Sequence, residues 1–327
     1  MKNKIKKIIA VVLSVLTVCL AFASCSNTAS SGKIKVGVIQ YASHPSLDNC
    51  YKGVEQGLKE SGLDIEIDFK NANNDSASAD AIAKNMITSG CDMIIGIATP
   101  AVVSAYSAAA GNGVPVIFCS VSDPVAAKIV NSLEAPGGNC TGTTDILDFD
   151  SQVKLIKAYQ PDAKKVGVLY TTSEANSVSQ LKAFEQAAAK VGLEVVGQGV
   201  QTAADIPQAA ATLAGKVDCI NNMTDNNVVT NLSVVIEKAN DAKIPVYGSE
   251  IEQVKMGCIA SYSIDYVELG KVTANMAAEV LNGKSAAEMP VQKFSKGTYV
   301  ANKEVMDKFG IKTPAGFEDI QFVETAK

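Results

Sequence analysis

The sequence predicts an α/β protein made of two doubly wound parallel-sheet lobes, and three observations carry that expectation. Short, apolar, β-branched runs alternate with helix-length amphipathic runs, the order expected of βα units laid on a parallel sheet. The same order is written a second time about 130 residues further on. The chain left after its N-terminal leader, about 300 residues, is longer than one hydrophobic core usually holds.

Each element follows from local pattern. Ile34–Gln40 (IKVGVIQ) is almost continuously apolar, as a strand buried on both faces must be. Asp48–Ser61 reads as a helix with Val54, Gly57 and Leu58 on one side, closed by Gly62. Ile65–Phe69 is a strand, Ala77–Ser89 a helix ended by Gly90, and Asp92–Ile97 a strand. Ala101–Ala110 is a helix and Val114–Ser120 a strand. In the second half KVGVLY at 165–170 repeats KVGVIQ at 35–40, Val217–Asn222 repeats Cys91–Gly96, and Ile244–Tyr247 repeats Val114–Ile117. Helices at Ser177–Val191, Pro207–Gly215 and Asn226–Ala242 fall between these strands. Beyond them come a helix at Asp265–Asn282 ended by Gly283, strand-like Val291–Phe294 and Thr298–Val300, and a short helix near Lys303–Phe309. Three crossings between lobes are expected, at Thr143–Ser151, Ser261–Tyr266 and Lys284–Gln292, with the tail returning to the first lobe. The expected division is 33–145 with 285–327 for the N-terminal lobe and 146–284 for the C-terminal lobe.

The N-terminus reads as an export signal. Lys2, Lys4, Lys6 and Lys7 precede an uncharged apolar stretch from Ile8 to Ala23, too short for a spanning helix and followed by small residues. Leu20-Ala21-Phe22-Ala23-Ser24-Cys25 resembles a bacterial lipobox, so residues 1–24 are expected to be removed and Cys25 to carry lipid, anchoring the protein outside the cytoplasm. Ser26–Gly32 is a polar, small-residue tether. Removal of the leader takes away four lysines and no acidic residue, so the net charge of −5 becomes −9. That balance argues against a nucleic-acid partner, which requires clustered cations to neutralise phosphate.

Composition restricts the chemistry further. There is no arginine, and His44 is the sole histidine. A bidentate guanidinium clamp is therefore missing, and a ligand carboxylate must be held by backbone N–H groups, hydroxyls or a lysine. One histidine leaves little for Ser-His-Asp catalysis or a catalytic zinc, so no enzyme activity and no cofactor or metal are expected. Six cysteines remain beyond Cys19 and Cys25; several sit in apolar runs and read mostly as buried free thiols acting as small hydrophobes, with a single disulfide as the open alternative.

In open parallel sheets ligands bind beyond the carboxyl ends of the strands. The segments found there are Tyr41–Pro45, Ala98–Ala101 and Ser120–Pro124 in the first half, then Thr171–Asn176, Thr224–Asn227 and Ser249–Glu250. Hydroxyls, amides and carboxylates dominate, a set suited to a zwitterion. Thr99 precedes Pro100 at a helix start, where its hydroxyl and the N–H groups of Ala101 and Val102 would hold an α-carboxylate. Asp225 or Glu174 would hold the α-ammonium, and Tyr41, Tyr106 and Tyr170 would pack on an apolar side chain. Each residue alone also reads as an ordinary helix cap, and His44 as either a ligand contact or an exposed loop residue. No Gly-x-Gly-x-x-Gly follows the first strand, so a dinucleotide site is not expected.

The segments QYASHPSLD at 40–48, ATPA at 98–101, VSDP at 121–124 and GGN at 137–139 resemble the ABC transporter substrate-binding family that includes tryptophan- and tyrosine-uptake proteins. YTTSEANS at 170–177 and TDN at 224–226 add to the resemblance, which runs from about Lys33 to Ile311. It implies a type I periplasmic-binding fold, hinge closure around an aromatic amino acid, and an ABC permease and ATPase as partners of a monomer. The implied ligand contacts are Thr99, Ser122, Asp123, Glu174, Asn176, Asp225 and Asn226, to which position adds Tyr41, Ala101 and Glu250. Two other readings stay open: a sensing subunit for a membrane receptor, and a different small solute such as a branched-chain amino acid or a sugar.

Overall fold

The computed structural model describes residues 32–294 and 297–326; the leader, Cys25 and most of the tether lie outside the described residues. The described residues from Ile34 onward form one compact unit. Its first sheet is built from β1 (Ile34–Gln40), β2 (Ile65–Asn71), β3 (Met93–Ile97), β4 (Val116–Cys119), β5 (Cys140–Thr144) and β11 (Gln292–Lys293). The spatial order is β11-β5-β4-β3-β1-β2, every pairing parallel. β1 and β3 are central and buried on both faces, which is why they read as unbroken apolar runs. The helices α1 (Pro45–Glu60), α2 (Ser76–Thr88) and α3 (Thr99–Ala109) connect these strands.

The second sheet has β6 (Lys165–Thr171), β7 (Glu194–Val200), β8 (Cys219–Asn221) and β9 (Val246–Tyr247), in the order β7-β6-β8-β9 and again parallel. It repeats the order of β2, β1, β3 and β4, as the 130-residue echo predicts. Its helices are α4 (Phe149–Tyr159), α5 (Ala175–Lys190), α6 (Ile206–Ala214), α7 (Asn226–Thr230), α8 (Leu232–Asp241) and α9 (Ile251–Lys255). The single helix expected over Asn226–Ala242 is broken into α7 and α8 at Asn231, whose backbone leaves the helical region. A third set, β10 (Ala260–Ser263), β12 (Thr298–Asn302) and β13 (Gln321–Val323), extends the second lobe. It is joined to β9 by Ile259 N–H donating to Val246 O at 2.7 Å and Gly248 N–H donating to Ala260 O at 3.0 Å.

The expected division between lobes needs correction at its C-terminal end. α10 (Tyr266–Leu281) packs on α1, and its Leu269, Ala274 and Ala277 belong to the first core, so 266–294 lie in the N-terminal lobe. α11 (Lys303–Phe309) and the tail belong to the second lobe, with Ala301, Met306, Phe317 and Ile320 in its core. The physical reason is parity: a chain that starts in the first lobe and crosses three times ends in the second. Two crossings are residues 145–148 and 264–265, and the third falls after Phe294, which still bonds to the first lobe, and before β12.

Two glycines fix how α10 docks. A Cβ on Gly53 would lie 2.0 Å from Val267 O, and one on Gly270 would lie 2.2 Å from Cys50 O, so α1 and α10 touch backbone to backbone. β5 carries no apolar alternation and was therefore invisible to periodicity. Its threonines are buried by pairing: Thr141 Oγ1 donates to Met289 O at 2.7 Å, and the hydroxyls of Thr143 and Thr273 are 2.7 Å apart. The six cysteines from Cys50 to Cys258 are buried free thiols, as their apolar settings predict.

Candidate functional site

Residues beyond the carboxyl ends of strands in both lobes line one enclosed cavity of about 20 Å³. From the first lobe come His44, Ser46, Thr99, Ser120 and Ser122; from the second come Asn176, Thr224, Asn226 and Gln253. Asp145 at the first crossing and Tyr266 at the start of α10 join them, while Leu47, Ala98 and Val229 supply the apolar wall. Neighbouring clefts of about 410 and 270 Å³ lie against Tyr41 and Glu174. A wider crevice of about 540 Å³ runs past Glu250, Tyr266 and the hinge segments.

The lobes are closed on one another. Ser179 Oγ donates to Asp123 Oδ2 at 2.5 Å and Gln180 Nε2 to Ser122 Oγ at 2.7 Å. Asn49 Nδ2 donates to Glu252 Oε1 at 3.2 Å, and Asn74 Nδ2 to Asn227 Oδ1 at 3.3 Å. All four bonds join one lobe to the other.

Backbone strain aims two turns at the cavity. Ala98 has φ +74° and Ser120 φ +59°, left-handed conformations that cost a residue with a Cβ on the order of 1 kcal/mol or more. They are held by Ala98 N–H donating to Cys119 O at 3.0 Å and Val102 N–H to Ala98 O at 3.2 Å. Ala98 thereby sets the start of α3, so that Thr99 lines the cavity at the helix N-terminus, where first-turn N–H groups lack intrahelical acceptors.

Four acidic residues are buried in or beside the site. Asp145 accepts from Ser120 Oγ at 2.8 Å, Ser122 Oγ at 3.0 Å and Tyr266 Oη at 3.0 Å. Burial raises its carboxyl above the usual range, against the pull of those hydroxyls. Glu174 Oε2 accepts from Asn226 Nδ2 at 2.6 Å and Asn176 Nδ2 at 3.1 Å, and Oε1 from Asn227 N–H at 3.3 Å. Burial, then the charge of nearby Asp225, push Glu174 up to about 7. Glu250 caps α9, accepting from Glu252 N–H at 2.7 Å and Gln253 N–H at 2.8 Å, and burial carries it to about 7. Asp225 accepts from Thr171 N–H at 2.5 Å, Thr171 Oγ1 at 2.8 Å and Val228 N–H at 2.9 Å.

The predicted residues therefore separate. Thr99, Ser122, Asn176 and Asn226 line the cavity. Tyr41 and Glu174 stand at its side, Tyr41 with its hydroxyl 3.2 Å from Ser76 Oγ. Asp123 is a latch between lobes, and Ala101 is buried in the first core. Asp225 is a cap that also ties down the end of β6, and Glu250 caps α9; neither lines the cavity. Tyr106 packs on the first core and Tyr170 against β7, outside the lining.

Asp145 and Tyr266 were not singled out by sequence reasoning. Asp145 lies at a crossing and Tyr266 opens the helix that follows one, and residues there border both lobes, which is the signal that could have found them. His44 is buried rather than exposed; burial lowers the ring to about 4, against a smaller opposing pull from the Asn226 side chain, so it is neutral at pH 7. The Oδ1 of Asn176 is also buried without a donor.

Known proteins share this architecture. The family model described as ABC transporter substrate binding protein matches residues 35–318. A tyrosine-binding protein of Clostridioides difficile (strain R20291) is 38% identical over 284 residues, 86% of this chain and 82% of its own. A domain from Streptococcus pneumonia solved in complex with L-Trp superposes with a TM-score of 0.87 at 37% identity, covering 89% of this chain and 100% of that one. The ligand-free, open structure of a Clostridium difficile substrate binding protein with adhesive properties gives 0.68 at 36% identity, over 89% and 99% of the two chains. Identity and coverage barely differ between the two solved structures, so the lower score reflects lobe arrangement, in line with the hydrogen bonds that close this chain. From its paired parallel sheets, its three crossings and these matches, the chain belongs to the ABC transporter substrate-binding protein family, with the type I periplasmic-binding fold.

Proposed function

We propose that the protein captures an aromatic amino acid, Trp, Tyr or Phe, between its lobes outside the cytoplasm and delivers it to the permease and ATPase of an ABC importer. The observation that carries this reading is a cavity walled by both lobes, with the start of α3 and His44 among its donors and Asp145 as its carboxylate; at about 20 Å³ it is shut to little more than a water, so the lobes must part to admit an aromatic side chain. That polarity suits a zwitterion, and relatives at 37–38% identity are a tyrosine-binding protein and a domain crystallised with L-Trp. The ligand carboxylate would meet Thr99 and the first turn of α3, and the ammonium would lie near Asp145 and Asn176 Oδ1. Closure follows from contacts made only when both lobes are present, since a ligand shifts the equilibrium by its differential affinity for the closed form.

The protein acts as a monomer, tethered by lipid at Cys25, and releases its ligand unchanged. Support for the last point is that His44, the sole histidine, has no hydroxyl or carboxylate partner with which to form a nucleophilic dyad.

A thermal-shift panel on the chain from Ser26 tests the reading, because a ligand that binds the native state raises the unfolding midpoint by mass action. The expected result is a selective rise with L-Trp, L-Tyr or L-Phe. A rise with myo-inositol or glucose and none with the aromatic amino acids would reject it.

A further inference from the structure

The site is acidic and has no cation of its own. Asp145 lines the cavity, Glu174 is bonded to two of its lining asparagines, and Glu250 and Asp225 are fully buried beside it. No lysine lines the cavity, and pairs such as Lys59–Glu55 and Lys190–Asp150 lie at the surface. His44, the remaining basic side chain there, is neutral.

This arrangement treats the two ends of an amino acid unequally. An ammonium placed against Asp145 meets a carboxyl acceptor screened from water, and its positive charge favours the ionised form that burial alone opposes. Asn176 Oδ1, buried and without a donor, offers it a second acceptor. A carboxylate finds neutral donors only, at Thr99, His44 and the turn of α3. It also lies beside buried acidic groups with no lysine among the lining residues, and any of them that ionises opposes it.

We infer that the site recognises the ammonium rather than the carboxylate, so that aromatic primary amines, the same ligands without their carboxylate, are ligands as well. This rests on the reading of the cavity as an aromatic amino acid site. Removal of the carboxylate gives up bonds to neutral donors and takes a negative charge away from a site that holds no lysine. Removal of the ammonium leaves Asp145 and Asn176 Oδ1 without a donor from the ligand while keeping that negative charge.

Calorimetric titration of the chain from Ser26 with three probe classes tests the inference. The probes are L-tyrosine and L-tryptophan, the amines tyramine and tryptamine, and the acids 3-(4-hydroxyphenyl)propionate and indole-3-propionate. The expected result is that the amines bind within about tenfold of the amino acids, and the acids at least about a hundredfold more weakly, a difference of roughly two charge-assisted bonds. Amino acids that bind while the amines are weaker by about a hundredfold would overturn the inference and leave the amino acid reading intact. No binding in any class would overturn that reading, and the inference with it.

Asp145→Asn is isosteric and keeps an oxygen for the hydroxyls. It is expected to weaken the amine and the amino acid by the same factor, about tenfold or more. An unchanged amine affinity in a variant with native circular dichroism would contradict the placement of the ammonium.

Discussion

Asp225 and His44 show how differently two buried polar residues serve the same region. Asp225 satisfies Thr171 N–H, the Thr171 hydroxyl and Val228 N–H, so its carboxylate holds the end of β6 to the start of α7. Asp225→Ala leaves two buried N–H groups without acceptors and is expected to cost about 2–4 kcal/mol of stability, read by urea denaturation. His44 stands at the start of α1 but its side chain caps no backbone N–H there. His44→Ala is expected to weaken aromatic amino acid binding about tenfold while stability changes by less than about 1 kcal/mol, with calorimetry and denaturation as the two readouts. The sequence names both residues but cannot rank them: a carboxylate before a helix is the same pattern whether it caps or binds. The distinction rests on Thr171, 54 positions away from Asp225, and on the burial of the Tyr41–Pro45 turn.

At the scale of elements, the strands legible in the sequence are those buried on both faces by aliphatic side chains, such as β1, β3 and β6. β5, a Cys-Thr-Gly-Thr-Thr strand satisfied by hydroxyl bonds to α10 and Met289, has no such pattern. α10 was legible as a helix but not as a member of the first lobe. Its Gly270 and Ala274 face Gly53 and Gly57 of α1, and small residues at helical spacing say that something approaches closely without saying what. Gly53→Ala places a methyl group against the carbonyl of Val267, and the two helices must move apart to admit it. The expected loss is about 2–3 kcal/mol, with ligand affinity restored at temperatures where the variant is folded. A variant as stable as the parent would show that the helix pair is looser than its geometry.

For the whole molecule, closure brings ionisable groups together with a definite sign. Glu174 and Glu250 are raised to about 7, so the folded protein holds their protons more tightly than the unfolded chain, and stability falls as pH rises through about 4.5 to 7. Asp145, also raised, acts in the same direction. His44 has the opposite sign: lowered to about 4, it makes the folded form lose stability as pH falls from about 6.5 to 4. The carboxylates outnumber the imidazole, and the protein is expected to be more stable near pH 5 than near pH 8. Glu250→Gln should shrink that difference by on the order of 1–3 kcal/mol in denaturation curves at the two pH values. An unchanged difference would mean that Glu250 is not buried in its neutral form. The two-lobed plan was readable from the 130-residue echo, whereas the closed site depends on four bonds between residues far apart in the chain.

A crystal structure of the chain grown with L-tyrosine or L-tryptophan tests the central claim most directly. The account predicts the ligand between the lobes, its ammonium against Asp145 and its carboxylate toward Thr99 and His44. A ligand seated in the hinge crevice beside Lys255 and Phe294, with the interlobe cavity unchanged, would contradict it.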